Sequence, residues 1–211
     1  MTDLIVGRPA LLIIDMQYDF VEPGSGCYAT GAEKIVDRVG ALADACRAAA
    51  IPVIHTRELH RAGGIDSGRE LDEGPGMLTA AAGEPAVPWH TIRGTKGAEI
   101  VAELGPAAGD YVVDKARFSC FLGTELEFLL KGLDVSTLIM VGVCTDVCVM
   151  WTAGDAFQRD YHVRVVEDCT AGSAADRHEA ALLLLRSFTH DGTAIDAARI
   201  EAALAAGKGP S

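Results

Sequence analysis

Three features are missing from the 211 residues of this sequence: a Cys-x-x-Cys pair, an excess of basic residues and a membrane-length apolar run. Without a Cys-x-x-Cys pair, a structural zinc site is not expected. The formal net charge of -12 argues against a nucleic-acid partner, because the phosphate backbone would be repelled. No apolar run approaches the roughly 20 residues that a transmembrane helix needs, so no membrane partner is expected either.

Cysteine is present six times, but no sign of a secretory route accompanies it. The N-terminus lacks a basic segment followed by an apolar one, so we expect a cytoplasmic protein whose thiols are reduced. A hydrophobic content of 49% with 23% charged residues is typical of a compact fold. A chain of this length supplies one well-filled core, and we expect residues 1–211 to form a single domain.

Short apolar runs alternate with helical stripes along the whole chain. Strands are predicted at 10–15, 52–56, 111–114, 138–141 and 163–166. Helices are predicted at 31–50, 96–104, after Thr124, up to about 159, and at 174–188 and 194–206. This alternation predicts an α/β fold, a three-layer αβα sandwich around a mostly parallel central sheet. The polar, glycine-rich segment 57–94 is predicted to be a long loop with a functional role.

Three chemically useful groups stand at the carboxyl ends of separate predicted strands: Asp15, Lys115 and the turn that holds Cys144 and Cys148. In a parallel sheet these ends share one edge, where ligands bind. Together they could act as a general base, a cation that orients it, and a nucleophile. Each has an ordinary alternative, because an acid can cap a turn, a lysine can be a surface charge and a cysteine can be a small buried hydrophobe.

The two cysteines are predicted to lie in or just after a tight turn that leads from a strand into a helix. The positive end of a helix dipole lowers the pKa of a thiol towards the reactive thiolate. The residues of this stretch do not choose between Cys144 and Cys148.

Three motifs give the chain a family resemblance: residues 12–20 (LIIDMQYDF), Lys115 with Arg117, Ser119 and Phe121, and residues 142–149 (GVCTDVCV). The sequence resembles the isochorismatase-like cysteine hydrolases, which include nicotinamidases, N-carbamoylsarcosine amidases, ureidoacrylate hydrolases and biuret hydrolases. The resemblance covers residues 11 to about 174 and implies a Rossmann-like topology.

The resemblance implies that Asp15, Lys115 and Cys148 form a catalytic triad with Cys148 as the nucleophile. It also implies a cis peptide between Val143 and Cys144, and an oxyanion hole formed by the backbone N–H groups of Cys144 and Cys148. Family members that cleave the isochorismate vinyl ether lack this cysteine. Its presence favours hydrolysis of a C–N bond in a small linear amide or ureide, and family members are commonly homo-oligomers.

Three further residues are candidates for substrate binding. Gln17 and Phe20 follow Asp15 closely enough to line the same pocket, and Arg117 could hold a substrate carboxylate or carbonyl with its planar guanidinium. The alternative for Arg117 is a surface partner of the helix near Glu125. Trp151, one turn beyond Cys148, is either a pocket wall or part of the core.

A metal site is the main open alternative. In nicotinamidases of the family, an Asp-x-His pair and two further histidines bind a divalent metal. Here Glu58 and His60 stand at the Asp-x-His position, His90 resembles the last ligand, and Asp66 is the nearest polar candidate for the missing histidine. Similar segments occur in biuret-hydrolase-like members that act without metal, so no cofactor is favoured. The alternatives are a metal-dependent nicotinamidase-like amidase and a catalytically silent binding protein.

Overall fold

Five parallel strands form the centre of the molecule. The computed structural model describes residues 4–67, 90–189 and 194–206. Within these ranges the sheet has the order β3-β2-β1-β4-β5, with every neighbouring pair parallel. The strands are β1 (Arg8–Ile14), β2 (Val53–Glu58), β3 (Tyr111–Lys115), β4 (Val135–Val143) and β5 (His162–Ala171). The α/β prediction is confirmed.

Helices cover both faces of this sheet. They are α1 (Tyr18–Val21), α2 (Ala32–Ala48), α3 (Leu126–Gly132), α4 (Met150–Phe157), α5 (Ala175–Thr189) and α6 (Ala197–Ala205). Helix α2 packs with α6, and α4 packs with α5. Between these layers β1 and β4 are buried almost throughout, as expected for central strands of a parallel sheet. None of the helices in the described ranges is long and apolar enough to cross a membrane.

The predicted helix at 96–104 is wrong. Two short 3-10 turns, Lys96–Ala98 and Ala102–Leu104, take its place. The residues between them pair with the chain that leaves β1: Ile100 forms an antiparallel bridge with Gln17, and the Val101 N–H donates to the Met16 carbonyl at 3.0 Å. This pairing takes the backbone groups that a continuous helix would need.

Strand β2 runs two residues further than predicted. The polar residues Arg57 and Glu58 continue it because they pair with Asp114 and Lys115 of β3. Glu58 therefore ends a strand at the carboxyl edge of the sheet and does not open a loop. Of the loop predicted at 57–94, residues 68–89 lie outside the described ranges.

The chain order places a crevice between β1 and β4. After β1 the chain moves outward to β2 and β3, then returns to β4 on the other side of β1. The carboxyl ends of strands at such a reversal are where open α/β sheets bind ligands. Gly142 pairs with Ile14 there and has φ 108°, and a Cβ at this position would overlap the Ile14 carbonyl oxygen. Glycine lets the two strands approach closely at this edge.

Candidate active site

The carboxyl edge of the sheet gathers four functional side chains from four consecutive strands. Asp15 follows β1, Glu58 ends β2, Lys115 ends β3, and Cys148 lies in the π-helical turn Thr145–Val149 after β4. All four side chains are buried. The structure thus brings together the three strand-end groups that the sequence indicated and adds Glu58 to them.

The Lys115 ammonium is at the centre of the cluster. Its Nζ lies 2.7 Å from Asp15 Oδ2 and 2.8 Å from Glu58 Oε2, and it donates to Cys148 Sγ at 3.4 Å. Burial lowers the pKa of Lys115, but the surrounding Asp15, Cys148 and Glu58 groups outweigh it and raise that pKa well above its usual value. The lysine is therefore a permanent cation that compensates buried negative charge.

Asp15 is held from two sides. The Thr56 hydroxyl donates to Asp15 Oδ1 at 2.7 Å and accepts from the Asp15 backbone N–H at 3.2 Å, while the backbone of Asp15 adopts φ 52°. Complete burial raises the pKa of the carboxyl, and the nearby Lys115 lowers it by less. Among the described residues no hydrogen bond is well aligned on Oδ2, although Lys115 lies beside it. Asp15 is thus ion-paired through Oδ2 and has a raised proton affinity, which suits a general base.

The cysteine turn begins at a cis peptide bond between Val143 and Cys144. The Cys144 carbonyl accepts hydrogen bonds from the backbone N–H groups of Val147 and Val149, at 3.0 and 3.1 Å. Within the part of the chain that the structure describes, the Cys144 N–H donates no hydrogen bond. Buried N–H groups are nearly always paired, so an unpaired one in this turn indicates a donor that is available to a ligand atom.

The contacts of the two thiols separate their roles. Cys148 Sγ accepts a hydrogen bond from Lys115 Nζ at 3.4 Å and donates one to Glu58 Oε2 at 3.5 Å. Burial raises the pKa of the Cys148 thiol well above its usual value, and the opposing effect of Lys115 does not cancel it. Burial also raises the pKa of Cys144, which lacks this lysine contact. The expected lowering of the thiol pKa is therefore wrong for the resting protein, and Cys148 needs a base to become a thiolate.

Glu58 also joins two imidazoles. His90 Nε2 and His60 Nε2 lie 2.8 and 3.3 Å from Glu58 Oε1, so one carboxylate oxygen contacts both rings. Burial opposes ionisation of Glu58, but Lys115 and the two histidines hold its pKa well below the usual range. Burial likewise lowers the pKa of His90, but its contacts with Cys27 and Glu58 raise it to about 11. Positive and negative groups therefore alternate from His90 through Glu58 and Lys115 to Asp15.

The donor set of Glu58, His60 and His90 fits a divalent metal. One atom from each lies within 4.8 Å of the other two, which agrees with three protein ligands around one ion. Asp66 Oδ1 lies 3.7 Å from His60 Nδ1, the far ring nitrogen, so Asp66 supports the imidazole and does not replace the missing histidine as a ligand.

The three predicted substrate contacts have structural partners of their own. Both Gln17 amide hydrogens are used, at 2.8 Å each, by the carbonyls of Glu58 and Ala98, and its oxygen accepts from the Glu58 N–H at 2.7 Å. The Gln17 amide therefore fixes the end of β2, and its donors are not free for a substrate. Phe20 is buried and packs edge-on against His90, with ring centroids 5.8 Å apart.

Arg117 and Trp151 also differ from what was expected. The Arg117 guanidinium donates to the carbonyls of Asp66 and Ala116, so it ties the segment after β2 to the segment after β3 and is not a partner of the helix near Glu125. Trp151 is 58% exposed, which excludes core packing. No role was predicted for Thr56, whose only signal in the sequence was its place at the end of the strand predicted at 52–56.

Comparisons with known proteins agree with the α/β fold. The family model described as Isochorismatase domain matches residues 9–198. A protein of Arabidopsis thaliana named probable inactive nicotinamidase is 34% identical over 85% of this chain and 88% of its own length. The ureidoacrylate amidohydrolase RutB of Methylobacterium radiotolerans is 30% identical over 92% of this chain and 78% of its own. A crystal structure described as an isochorismatase family protein from Desulfovibrio vulgaris has a TM-score of 0.78 at 36% identity, covering 95% and 100% of the two chains.

Proposed function

Because this chain belongs to the isochorismatase family, as the match over residues 9–198 shows, we propose that it is a cysteine amidohydrolase. Its reaction is cleavage of a C–N bond in a small linear carboxamide or ureide, through a thioester on Cys148. The observation that carries the proposal is the buried contact set of Asp15, Lys115 and Cys148, with the ammonium 2.7 Å from the carboxylate and 3.4 Å from the sulfur.

In the first step Asp15 accepts the thiol proton while the sulfur attacks the carbonyl carbon. The new C–S bond turns the carbonyl into an oxyanion, for which the backbone N–H groups of Cys144 and Cys148 are the proposed donors. The unpaired Cys144 N–H supports this part of the proposal. Donors fixed before the reaction stabilise such an oxyanion without reorganisation, and one of them is worth about 10²–10³ in kcat.

Collapse of this intermediate breaks the C–N bond. Asp15 returns its proton to the leaving nitrogen, which departs as ammonia or an amine and leaves the acyl group on Cys148. Water then gives a proton to Asp15 and adds to the thioester, and the C–S bond breaks to release the acid and restore the thiol. The raised pKa of Asp15 supports this double use, because a carboxyl that binds a proton more tightly than usual can both take one and return it.

The relatives support an amide or ureide as substrate. One of the relatives described above is named a ureidoacrylate amidohydrolase, and its sequence aligns with 92% of this chain. We propose a substrate of the same general kind, a small molecule with a planar carbonyl flanked by nitrogen. The two buried carboxylates of the site favour a substrate whose reacting end is neutral, since they would repel an anionic group of the substrate.

A metal-dependent, nicotinamidase-like amidase is the second candidate, favoured by the Glu58, His60 and His90 donor set. These three residues would hold the ion, which when bound would act as a Lewis acid towards a polar atom of the substrate. Mass-spectrometric metal analysis of the purified protein tests this candidate: about one equivalent of divalent metal, lost in a His60→Gln variant, is its expected result.

The test of the main proposal is ammonia release by the Cys148→Ala variant. A panel of small ureides, carbamoyl compounds and carboxamides, nicotinamide included, identifies the substrate with the wild-type protein. The variant is expected to lose at least about a thousandfold in kcat, because the acyl intermediate forms on the Cys148 sulfur in this proposal. Cys46→Ala is the matched control, since this buried thiol lies on α2 outside the site. Near wild-type turnover by Cys148→Ala would disprove the proposal.

The catalytically silent alternative is tested with a thiol-reactive probe. All six cysteines are buried. The proposed nucleophile, Cys148, is the one that accepts a hydrogen bond from the Lys115 ammonium, so iodoacetamide should label it ahead of the other five. Labelling spread evenly over the cysteines, together with no turnover on the panel, favours the binding protein.

A further inference from the structure

The proposed triad leaves one partner of its lysine without a role. An ammonium has three N–H donors, and three polar atoms surround Lys115 Nζ: Asp15 Oδ2 at 2.7 Å, Glu58 Oε2 at 2.8 Å and Cys148 Sγ at 3.4 Å. Base and nucleophile account for two of them. The third is Glu58, and its contact with the lysine is as short as that of Asp15.

Glu58 is built rigidly into this position. The Gln17 amide binds both its backbone N–H and its backbone carbonyl, at 2.7 and 2.8 Å. Its Oε1 atom contacts His90 and His60, and its Oε2 atom accepts hydrogen bonds from Lys115 Nζ at 2.8 Å and from Cys148 Sγ at 3.5 Å. Each oxygen of the buried carboxylate thus has fixed partners, which leaves the side chain one orientation.

We propose that Glu58 is a positioning residue of the hydrolase, which holds the Lys115 ammonium against both Asp15 and the sulfur of Cys148. This inference rests on the proposed function. Asp15 alone would let the ammonium turn about a single ion pair, and the separation between cation and sulfur would then vary. The second carboxylate fixes the ammonium from the other side, so that the lysine faces the sulfur when the thiolate forms. Preorganised charge of this kind is effective because it does not move during the reaction.

The length of the side chain is part of the inference. An aspartate at this position would be one methylene shorter than Glu58. A carboxylate withdrawn by one C–C bond, about 1.5 Å, cannot keep contacts of 2.8 Å both to Lys115 on one oxygen and to His90 on the other. Glu58→Asp therefore keeps the charge and loses the reach, while Glu58→Gln keeps the length and loses the charge.

The experiment compares both variants with the wild-type protein in two assays. Ammonia release from the panel substrate gives kcat and KM, and the rate at which iodoacetamide alkylates Cys148, mapped by peptide mass spectrometry, needs no substrate. For Glu58→Asp we expect kcat and the alkylation rate each to fall by about tenfold or more, because one charge-assisted hydrogen bond is lost. The KM of this variant is expected to stay within about threefold of the wild-type value. Glu58→Gln is expected to lose kcat similarly, and its unchanged side-chain volume makes it the variant to use if Glu58→Asp does not fold.

Glu127→Gln is the matched control, because this partly exposed glutamate lies outside the site and pairs with Lys131 and Arg159 at the surface. Metal content is measured for every protein. The inference is overturned if kcat and alkylation in both variants stay within about threefold of the wild type, or if removing metal from the wild type lowers both by as much as either substitution does. If the panel yields no turnover, the proposed function fails, but slower alkylation of Cys148 in Glu58→Asp still supports the positioning role.

Discussion

Lys115→Met removes the cation that lies between two buried carboxylates and keeps a side chain of similar length. In the native protein the ammonium lies 2.7 Å from Asp15 and 2.8 Å from Glu58, and all three side chains are at most 1% exposed. Removing one partner of a buried ion pair costs roughly 3–5 kcal/mol. In this variant the Asp15 carboxylate is left with neither water nor a counter-charge, while Glu58 keeps its contacts with His90 and His60.

This cost is large enough for thermal unfolding to detect. A destabilisation of 1 kcal/mol lowers the Tm of a protein of 150–250 residues by about 2–4 °C, so Lys115→Met should unfold roughly 6–20 °C below the wild type at pH 8. Circular dichroism at 222 nm is a suitable probe for these helices. Lys131→Met is the control, because Lys131 is exposed and pairs with Glu127 on the surface of α3, where such pairs contribute at most about 1 kcal/mol.

The pH dependence gives the prediction a second criterion. In the wild type the lysine and the two histidines keep the pKa of Glu58 well below its usual value despite burial. Without the lysine, both buried carboxyls take up protons at a higher pH, and a neutral carboxyl is cheaper to bury. The difference in Tm between wild type and variant should therefore shrink from pH 8 to pH 5. A loss of stability no larger than that of Lys131→Met, or a difference that widens as the pH falls, would refute the reasoning.

Two further predictions concern the strands behind the site. Gly142→Ala should strongly lower the yield of folded protein or its Tm, because the new Cβ meets the Ile14 carbonyl at φ 108°; a Tm equal to that of the wild type in differential scanning fluorimetry would contradict the close approach of β1 and β4. Burial lowers the pKa of His55 more than its contact with Asp110 raises it, so the neutral ring favours the folded state. Its contribution to stability is complete above the unfolded-state pKa of about 6.5 and is lost as the pH falls below it. Urea unfolding at pH 7.5 and 5.5 should accordingly show a smaller loss on acidification in His55→Gln than in the wild type, and equal losses would rule out this assignment.

The sequence was informative about the site wherever a strand ended on a functional residue. Asp15 and Lys115 could be identified because apolar runs precede them, and parallel strands must end at one edge. Glu58 was harder, because the polar residues at the end of β2 read as the start of a loop. They form strand only through pairing with β3, more than fifty residues away. Such a pairing leaves no local pattern in the sequence.

Burial and side-chain hydrogen bonding were the least predictable properties. The pKa of the Cys148 thiol was expected to fall at a helix start, but complete enclosure of the turn raises it. Gln17 was expected in the pocket from its distance along the chain to Asp15, yet its amide bridges the backbones of Glu58 and Ala98. Both outcomes depend on which atoms surround a side chain in three dimensions, and spacing along a strand carries little of that information.

The contact of Gly142 with Ile14 has a consequence for how this protein tolerates change. Asp15 directly follows β1 and the cysteine turn directly follows β4, and at this edge the two strands meet main chain to main chain. The spacing of the proposed base and nucleophile is therefore set by a contact between peptide groups, which depends on the glycine at 142 and not on the apolar side chains around it. Substitutions among the apolar side chains on the two faces of the sheet change the packing of the layers. We expect such substitutions to alter the stability of the protein before they alter the spacing of Asp15 and Cys148.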